Sequence, residues 1–379
     1  MLSFWEKSAM IEADIIIVGG GITGLSAAAT LIENNPKLRI KVLERGVLPS
    51  GASTKNAGFA CFGSLTEILD DLDAISPEES AALVETRWKG LEKLRKRLGD
   101  EKIGYEGHGG YELISTKDYD CLNRIEEINK LLHPIFHKHV FHEDEELKEI
   151  FGFNAEKVET IISNPLEGQL HPGLMIRSLS NYVKNKHVEI ITGADVVGLN
   201  KGGNHVEVEV QVPFDHSETI QFRAEKVLIC NNAFVNKLLP QVDMKPGRGF
   251  VMVTKPIEDL KFQGTFHYDR GYFYFRNIEN RVLIGGGRNL DYIGEETTEF
   301  GTNQLIKDRL IDDLKNVILP GVDVEIDHEW SGIMGFGPNK QPVIQNVGDG
   351  VFTAVRLGGM GIAIGSSLGE KLAEIVINN

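Results

Sequence analysis

Gly19, Gly21 and Gly24 stand in the spacing G-x-G-x-x-G directly after the apolar run "DIIIV", and Glu44 follows twenty residues past Gly24. Each of these residue types suits one part of a dinucleotide. The first glycine permits a sharp turn, the second lets the backbone approach a pyrophosphate, and the third lets a helix lie close to the strand. A helix opening at Ile22 and Thr23 turns its first amides and the positive end of its dipole towards that pyrophosphate. A carboxylate at Glu44 accepts hydrogen bonds from ribose hydroxyls and repels a 2′-phosphate, which disfavours NADP.

Placing those groups requires a strand, a helix and a second strand in that order. Asp14 to Val18 is an unbroken run of strand formers, as expected of a central parallel strand buried on both faces. The helix runs from Ile22 to about Asn34, where "NNP" ends it, and a second strand, "RIKVLE", closes at Glu44. A glycine-rich turn in an unrelated α/β protein is the bland alternative, and the ordered strand, helix, strand and acid count against it. An NAD enzyme would continue with another strand-helix-strand unit. This chain continues instead with "RGVLPSGASTKNAGFACFG", Arg45 to Gly63, a loop of small and polar residues. Such a loop suits close wrapping of a large flat ligand by main-chain donors, with Ser53, Thr54 and Asn56 adding side-chain donors.

The 379 residues exceed one ordinary core and point to a large domain carrying a second, or to two interleaved domains. A formal charge of −15 argues against nucleic acid as a main partner, since phosphate neutralisation needs a basic surface. No apolar run is long enough to span a bilayer, and "MLSFWEKSAMIEAD" lacks the basic start and apolar core of a secretory signal, so a cytoplasmic location is the expectation. Cys61, Cys121 and Cys230 are isolated, without CxxC spacing, which supports neither a disulfide framework nor a metal site. Oligomeric state is not legible.

With the Arg45–Gly63 loop in place, the chain resembles the D-amino-acid oxidase superfamily of FAD proteins, which includes glycine oxidase, sarcosine oxidase and γ-glutamylputrescine oxidase. Four segments carry the resemblance. The first is G-x-G-x-x-G with Glu44 and Arg45. In the second, Gly51, Ala52, Ser53, Thr54, Lys55, Asn56, Ala57 and Gly58 match the stretch that the family lays along the pyrophosphate and flavin, with Lys55 where many members have arginine. The third runs from His171 to Leu199 and places Val196 where the family's valine touches the adenine side through its backbone. It is completed by Asn231, Asn232 and Ala233, closest to the "TNAY" of the γ-glutamylputrescine oxidase branch. The fourth is "VFTAVRLGGMGIAIGSSLGEKLAEIVI", in which Leu357, Gly358, Gly359, Met360 and Gly361 open a helix that the family turns towards the flavin's pyrimidine edge. "HEWSGIMGFGPNKQPVIQ" follows the family's late pattern through Trp330, Gly332, Pro338 and Pro342. It has Met334 where D-amino-acid oxidases place a carboxylate-clamping arginine, and no cysteine to tether flavin, so the implied FAD is non-covalent.

The resemblance implies an α/β fold: a discontinuous Rossmann-like FAD-binding domain (1–82, 164–240 and 326–379) with an inserted α+β substrate domain on a largely antiparallel sheet (83–163 and 241–325). It implies oxidation of the C–N bond of a small amine or amino acid by hydride transfer to flavin N5, giving an imine, with oxygen or a quinone as acceptor. Oxidation of a 2-hydroxy acid, or flavin binding without turnover, are the alternatives. Substrate residues are expected on the inserted sheet, where alternation puts Tyr272, Tyr274 and Arg276 on one face and two phenylalanines on the other. That face suits an amine held by cation–π contact and a carboxylate held by a guanidinium fork, or is ordinary sheet packing with an exposed arginine. Arg356 either replaces the missing clamp, stabilises reduced flavin or pairs with a carboxylate. Arg248 is read as structural, His267 and His108 as satisfied core or loop histidines, Cys61 as a space filler, and "LIGGGRN" as a turn at a strand end.

Overall fold

In the computed structural model, which describes residues 2–212 and 215–379, the strand Glu12–Val18 lies inside the first of two eight-stranded sheets. Its parallel neighbours are Ile40–Glu44 on one side and Asp215–Ile229 on the other; Glu189–Thr192 and Val351–Val355 extend the parallel run outwards. Val343–Gly348 closes one edge antiparallel, and Val196–Gly202 with His205–Val212 add an antiparallel ribbon. Three distant parts of the chain therefore form one sheet.

The unbroken apolar character of "DIIIV" has its cause in this arrangement, because each face of the strand meets a different core. Ile15 and Ile17 pack with Leu25, Leu179 and Leu372 from three helices, whereas Ile16 and Val18 pack with Val206, Val208 and Phe222. The helices Ile22–Asn34 and Gly361–Asn378 approach so closely that a Cβ on Gly369 would lie 2.6 Å from the carbonyl oxygen of Thr23. Small residues make that contact possible.

The second sheet is ordered Ile326–Phe336, Lys245–Thr254, Arg281–Gly286, Phe273–Ile278, Thr265–Tyr268, Gly110–Ile114, Thr160–Asn164, His142–Glu143. All its pairings are antiparallel except that between Thr265–Tyr268 and Gly110–Ile114. One face buries Phe250, Phe266, Phe273 and Phe275 beneath the helix Gln304–Asp313, and the other turns towards the first sheet.

Two stretches sit otherwise than the sequence divides them. The helix Pro77–Leu98, expected largely within the inserted portion, packs its Leu91, Leu94 and Leu98 into the same core as the helices Ile22–Asn34 and Gly361–Asn378, because Gly90 admits close contact with Ala363. The strand Ile326–Phe336, expected with the cofactor-binding portion, hydrogen-bonds along Lys245–Thr254 as an edge of the second sheet. It marks the seam between the sheets, since a Cβ on Gly332 would lie 3.0 Å from that of Lys55. No helix among the described residues is long and apolar enough to cross a membrane.

Candidate active site

A cavity of about 620 Å³ opens between the sheets. At one end its wall is mostly backbone. Gly19 has φ +108°, and a side chain there would collide with the Cys230 carbonyl at 2.8 Å; a Cβ on Gly24 would lie 2.2 Å from the Gly19 carbonyl oxygen. Gly19, Gly21, Ile22 and Thr23 line the cavity, while Gly24 sits beneath them as the contact that lets the helix descend. The Glu44 carboxylate accepts from the amides of Gly20 and Gly46, at 2.9 Å each, which aims it along the cavity wall. Arg45 lies over the Phe234 ring at 4.2 Å.

The Gly51–Gly58 stretch is bound to the start of the first helix: the Ile22 amide donates to Ser53 Oγ at 3.0 Å. Two of the expected ligand donors, Thr54 and Asn56, line the cavity and also bond within their own loop. Thr54 Oγ1 donates to the Pro49 carbonyl, and Asn56 Nδ2 donates to the carbonyls of Ala52 and Ser53 while its Oδ1 accepts from Gly58. A tight loop must satisfy its own carbonyls, so these side chains shape it. Gly51, Ala52, Lys55, Ala57 and Gly58 also border the cavity, and Lys55 holds Trp330 through its carbonyl.

Val196 lines the cavity with Ala194 and Asp195, two neighbours the sequence did not single out, and the Ala194 amide donates to the Glu44 carbonyl at 2.9 Å. Asn231, Asn232 and Ala233 follow, and Asn231 Oδ1 is buried with no hydrogen-bond partner among the described residues. Leu357, Gly358, Gly359, Met360 and Gly361 border the cavity beside them, since the Arg356 amide donates to Asn232 Oδ1 at 2.9 Å. Gly358 and Gly359 have φ +58° and +88° with open space where a Cβ would point, and the helix Gly361–Asn378 starts without a side-chain cap. A glycine cradle, an orphaned amide oxygen and two helix starts facing one space fit a large anionic dinucleotide.

The other end is built from side chains of the second sheet. Tyr272 and Tyr274 line it, with Met334. Arg276 does not: it is 6% exposed, packed behind Gly58, where a Cβ would lie 2.9 Å from its guanidinium, and burial pushes its pKa down to about 10. Two residues along a strand advance roughly 6–7 Å, enough to carry Arg276 past the cavity wall. Arg356 is also elsewhere. Its φ of +69° turns the side chain onto the 337–341 loop, where it donates to the carbonyls of Gln341 and Asp243 and to Asn339 Oδ1 at 2.9, 3.1 and 3.1 Å.

Arg45, Arg270 and Arg288 line the cavity; Arg270 is paired with Asp70 and Asp118, whereas Arg288, which sequence reasoning missed, is not so paired among the described residues. "LIGGGRN" is indeed a turn at a strand end, but Gly286 and Gly287, at φ +109° and +77°, throw the next residue into the cavity. Its guanidinium lies over Phe336 at 3.9 Å and Tyr292 at 4.8 Å, engaged by no hydrogen bond or salt bridge among the described residues, and burial lowers its pKa. Arg248, by contrast, is held by Glu295 through two bonds of 2.8 Å.

His267 also departs from its reading as satisfied. It is 6% exposed and lines the cavity, its ring meets the Phe59 edge at 5.0 Å, and neither nitrogen has a partner among the described residues. Burial lowers its pKa while the charge of Glu67 opposes the shift. His108 stays outside the cavity, 3.7 Å from Glu106. Cys61 lines the cavity as a buried thiol whose pKa desolvation raises strongly. No cluster of metal-binding residues occurs among the described residues.

The family described as FAD dependent oxidoreductase (DAO) matches residues 14–375. The γ-glutamylputrescine oxidoreductase of Escherichia coli (strain K12) is 23% identical over 395 residues, covering 97% of this chain and 84% of the relative. Among solved structures, the glycine oxidase of Geobacillus kaustophilus superposes with a TM-score of 0.78 at 20% identity, covering 98% of this chain and 96% of that one. The L-proline dehydrogenase of P. horikoshii superposes with a TM-score of 0.76 at 18% identity, over 97% and 94% of the two chains. At these identities the structural likeness speaks for the fold.

Proposed function

Because the chain belongs to the DAO family of FAD-dependent oxidoreductases, we propose that it oxidises the C–N bond of a small amine or amino acid to an imine. The observation that carries this reading is the pairing, in one cavity, of a dinucleotide cradle with an aromatic and guanidinium-lined pocket. FAD, when bound, supplies an acceptor for the hydride leaving the carbon that bears nitrogen.

The chain's own residues bind, orient and exclude water. Gly19 to Thr23 and the Gly51–Gly58 loop would hold the pyrophosphate, Glu44 the ribose, and the Gly358–Gly361 turn the flavin. Tyr272 and Tyr274 offer ring faces to an amine cation. Arg288 takes the place that Arg276 and Arg356 were expected to fill, because a guanidinium without an anionic partner is ready for a bidentate carboxylate. The buried sheet face behind them keeps water from the reacting carbon.

Anaerobic bleaching of the holoenzyme's flavin tests this with glycine, proline, N-acetyl-1,4-diaminobutane and 2-hydroxyglutarate. Bleaching by an amine supports the reading. Bleaching by the hydroxy acid alone, or by none of the four, defeats it.

A further inference from the structure

Behind the cavity lies a second, much smaller one of about 10 Å³, and His267 borders both. The small cavity is also lined by Glu112 and Glu167, two carboxyls that the flavin and amine chemistry above does not use. Glu112 accepts from Ser64 Oγ at 2.9 Å and from the Thr66 amide and hydroxyl. Glu167 accepts from the amides of Phe62 and Gly63 at 2.8 and 3.3 Å, and Gly110 leaves it room, since a Cβ there would lie 2.2 Å from Glu167 Oε2. Room for one water between polar groups is about what such a volume provides.

We propose that His267 is the inner gate of a proton relay, taking the proton from a substrate ammonium in the large cavity and passing it to Glu112 and Glu167 across the small one. The proton donor in this scheme rests on the amine reading given above. In the first transfer the ammonium N–H bond breaks, its electron pair stays on nitrogen, and an imidazole nitrogen forms the new N–H bond. In the second, the opposite imidazole N–H proton goes to a carboxylate oxygen and the ring is neutral again. A ring that borders both cavities and whose two nitrogens have no partner among the described residues is what such a transfer needs.

The groups around His267 set its direction. Glu67, on the helix Leu65–Leu72, is a positioning residue whose charge favours the imidazolium; Tyr274 and Glu112 lie opposite His267 on the two neighbouring strands, and Glu167 shares the small cavity. Burial raises Glu112 to about 7 and Glu167 to about 8, so near neutral pH the pair is neither fully protonated nor fully ionised. It can accept a proton there.

Infrared pH-difference spectra of the oxidised holoenzyme test the relay without any amine. A protonated-carboxyl band titrating near pH 7 to 8 is expected, lost in part in Glu112→Gln and in part in Glu167→Gln, and shifted in frequency by His267→Gln. A band indifferent to His267→Gln overturns the relay, even if no amine bleaches the flavin. With an amine that does bleach it, His267→Gln is expected to slow reduction about 100-fold at pH 7. The deficit should shrink about tenfold per pH unit as free amine becomes abundant, whereas a deficit constant with pH overturns the proposal. Glu67→Gln keeps the imidazole and is expected to move the acidic limb of the profile to lower pH. A limb that stays in place removes Glu67 from the scheme and overturns its assigned role.

Discussion

The two ends of the large cavity are made of different material. The cofactor end is backbone: at Gly19 and Gly24 a missing side chain lets neighbouring backbone close in, Gly358 and Gly359 face open space, and two helix starts line the cavity. The other end is side chain: Tyr272, Tyr274, Arg288 and His267, brought together from strands and turns of the second sheet. Where backbone packs on backbone, as at Gly19 and Gly24, no side chain can be added, so this end reads as a local pattern. A side-chain site depends on which way each residue points, and that is decided by pitch and turn geometry far from any motif.

Substitutions at each end sharpen this contrast. The largest effect is expected at Gly24→Val, whose side chain must enter the space occupied by the Gly19 carbonyl 2.2 Å from a Cβ. Overpacking of this kind costs about 1–3 kcal/mol, and here it displaces the cradle itself. The purified variant should carry little or no flavin absorbance after gel filtration. A fully yellow Gly24→Val protein would break the claim that the cradle depends on backbone contact.

At the other end, Arg288→Ala should raise the KM for a carboxylate-bearing amine roughly 100-fold, in line with about 1.5–3 kcal/mol for a charged hydrogen bond. A substrate without a carboxylate should be unaffected, and Arg276→Ala should leave both values unchanged because its guanidinium lies behind Gly58. Steady-state kinetics on the three proteins decides it. The reverse pattern would return the clamp to the strand position.

A smaller effect concerns stability and pH. Burial lifts Glu112 and Glu167 above the ordinary carboxylate range, so the folded protein holds their protons more tightly than the unfolded chain does. Their contribution is fully present below about pH 4.5 and is lost as pH rises through 7 to 8. Urea melts at pH 5.5 and 8.5 should therefore show a loss on going to the higher pH that Glu167→Gln reduces. An equal loss in both proteins would mean that Glu167 is ionised throughout.

Several features of the cofactor end were legible in order along the chain. The strand–glycine–helix unit, the Glu44 carboxylate and the C-terminal glycine turn all border one cavity. The bonds that Thr54 and Asn56 make to the carbonyls of their own loop were not legible there, because they depend on how tightly that loop folds. At the other end, alternation along Phe273–Ile278 separated Tyr274 from the phenylalanines, but not Tyr274 from Arg276, which share a face and differ only in how far along the strand they lie.

From the sequence alone came the dinucleotide cradle and the apolar strand at its base, because both follow from short-range rules: what a missing Cβ permits and what a doubly buried strand must exclude. Only the tertiary structure decided that Arg288 lines the cavity and that His267 borders two cavities with neither nitrogen partnered among the described residues. Those outcomes depend on two left-handed glycines, on the advance of a strand past a wall, and on three segments distant in sequence closing around one space. No local pattern encodes such a convergence, since each side chain's surroundings are supplied by residues it meets only in the folded chain.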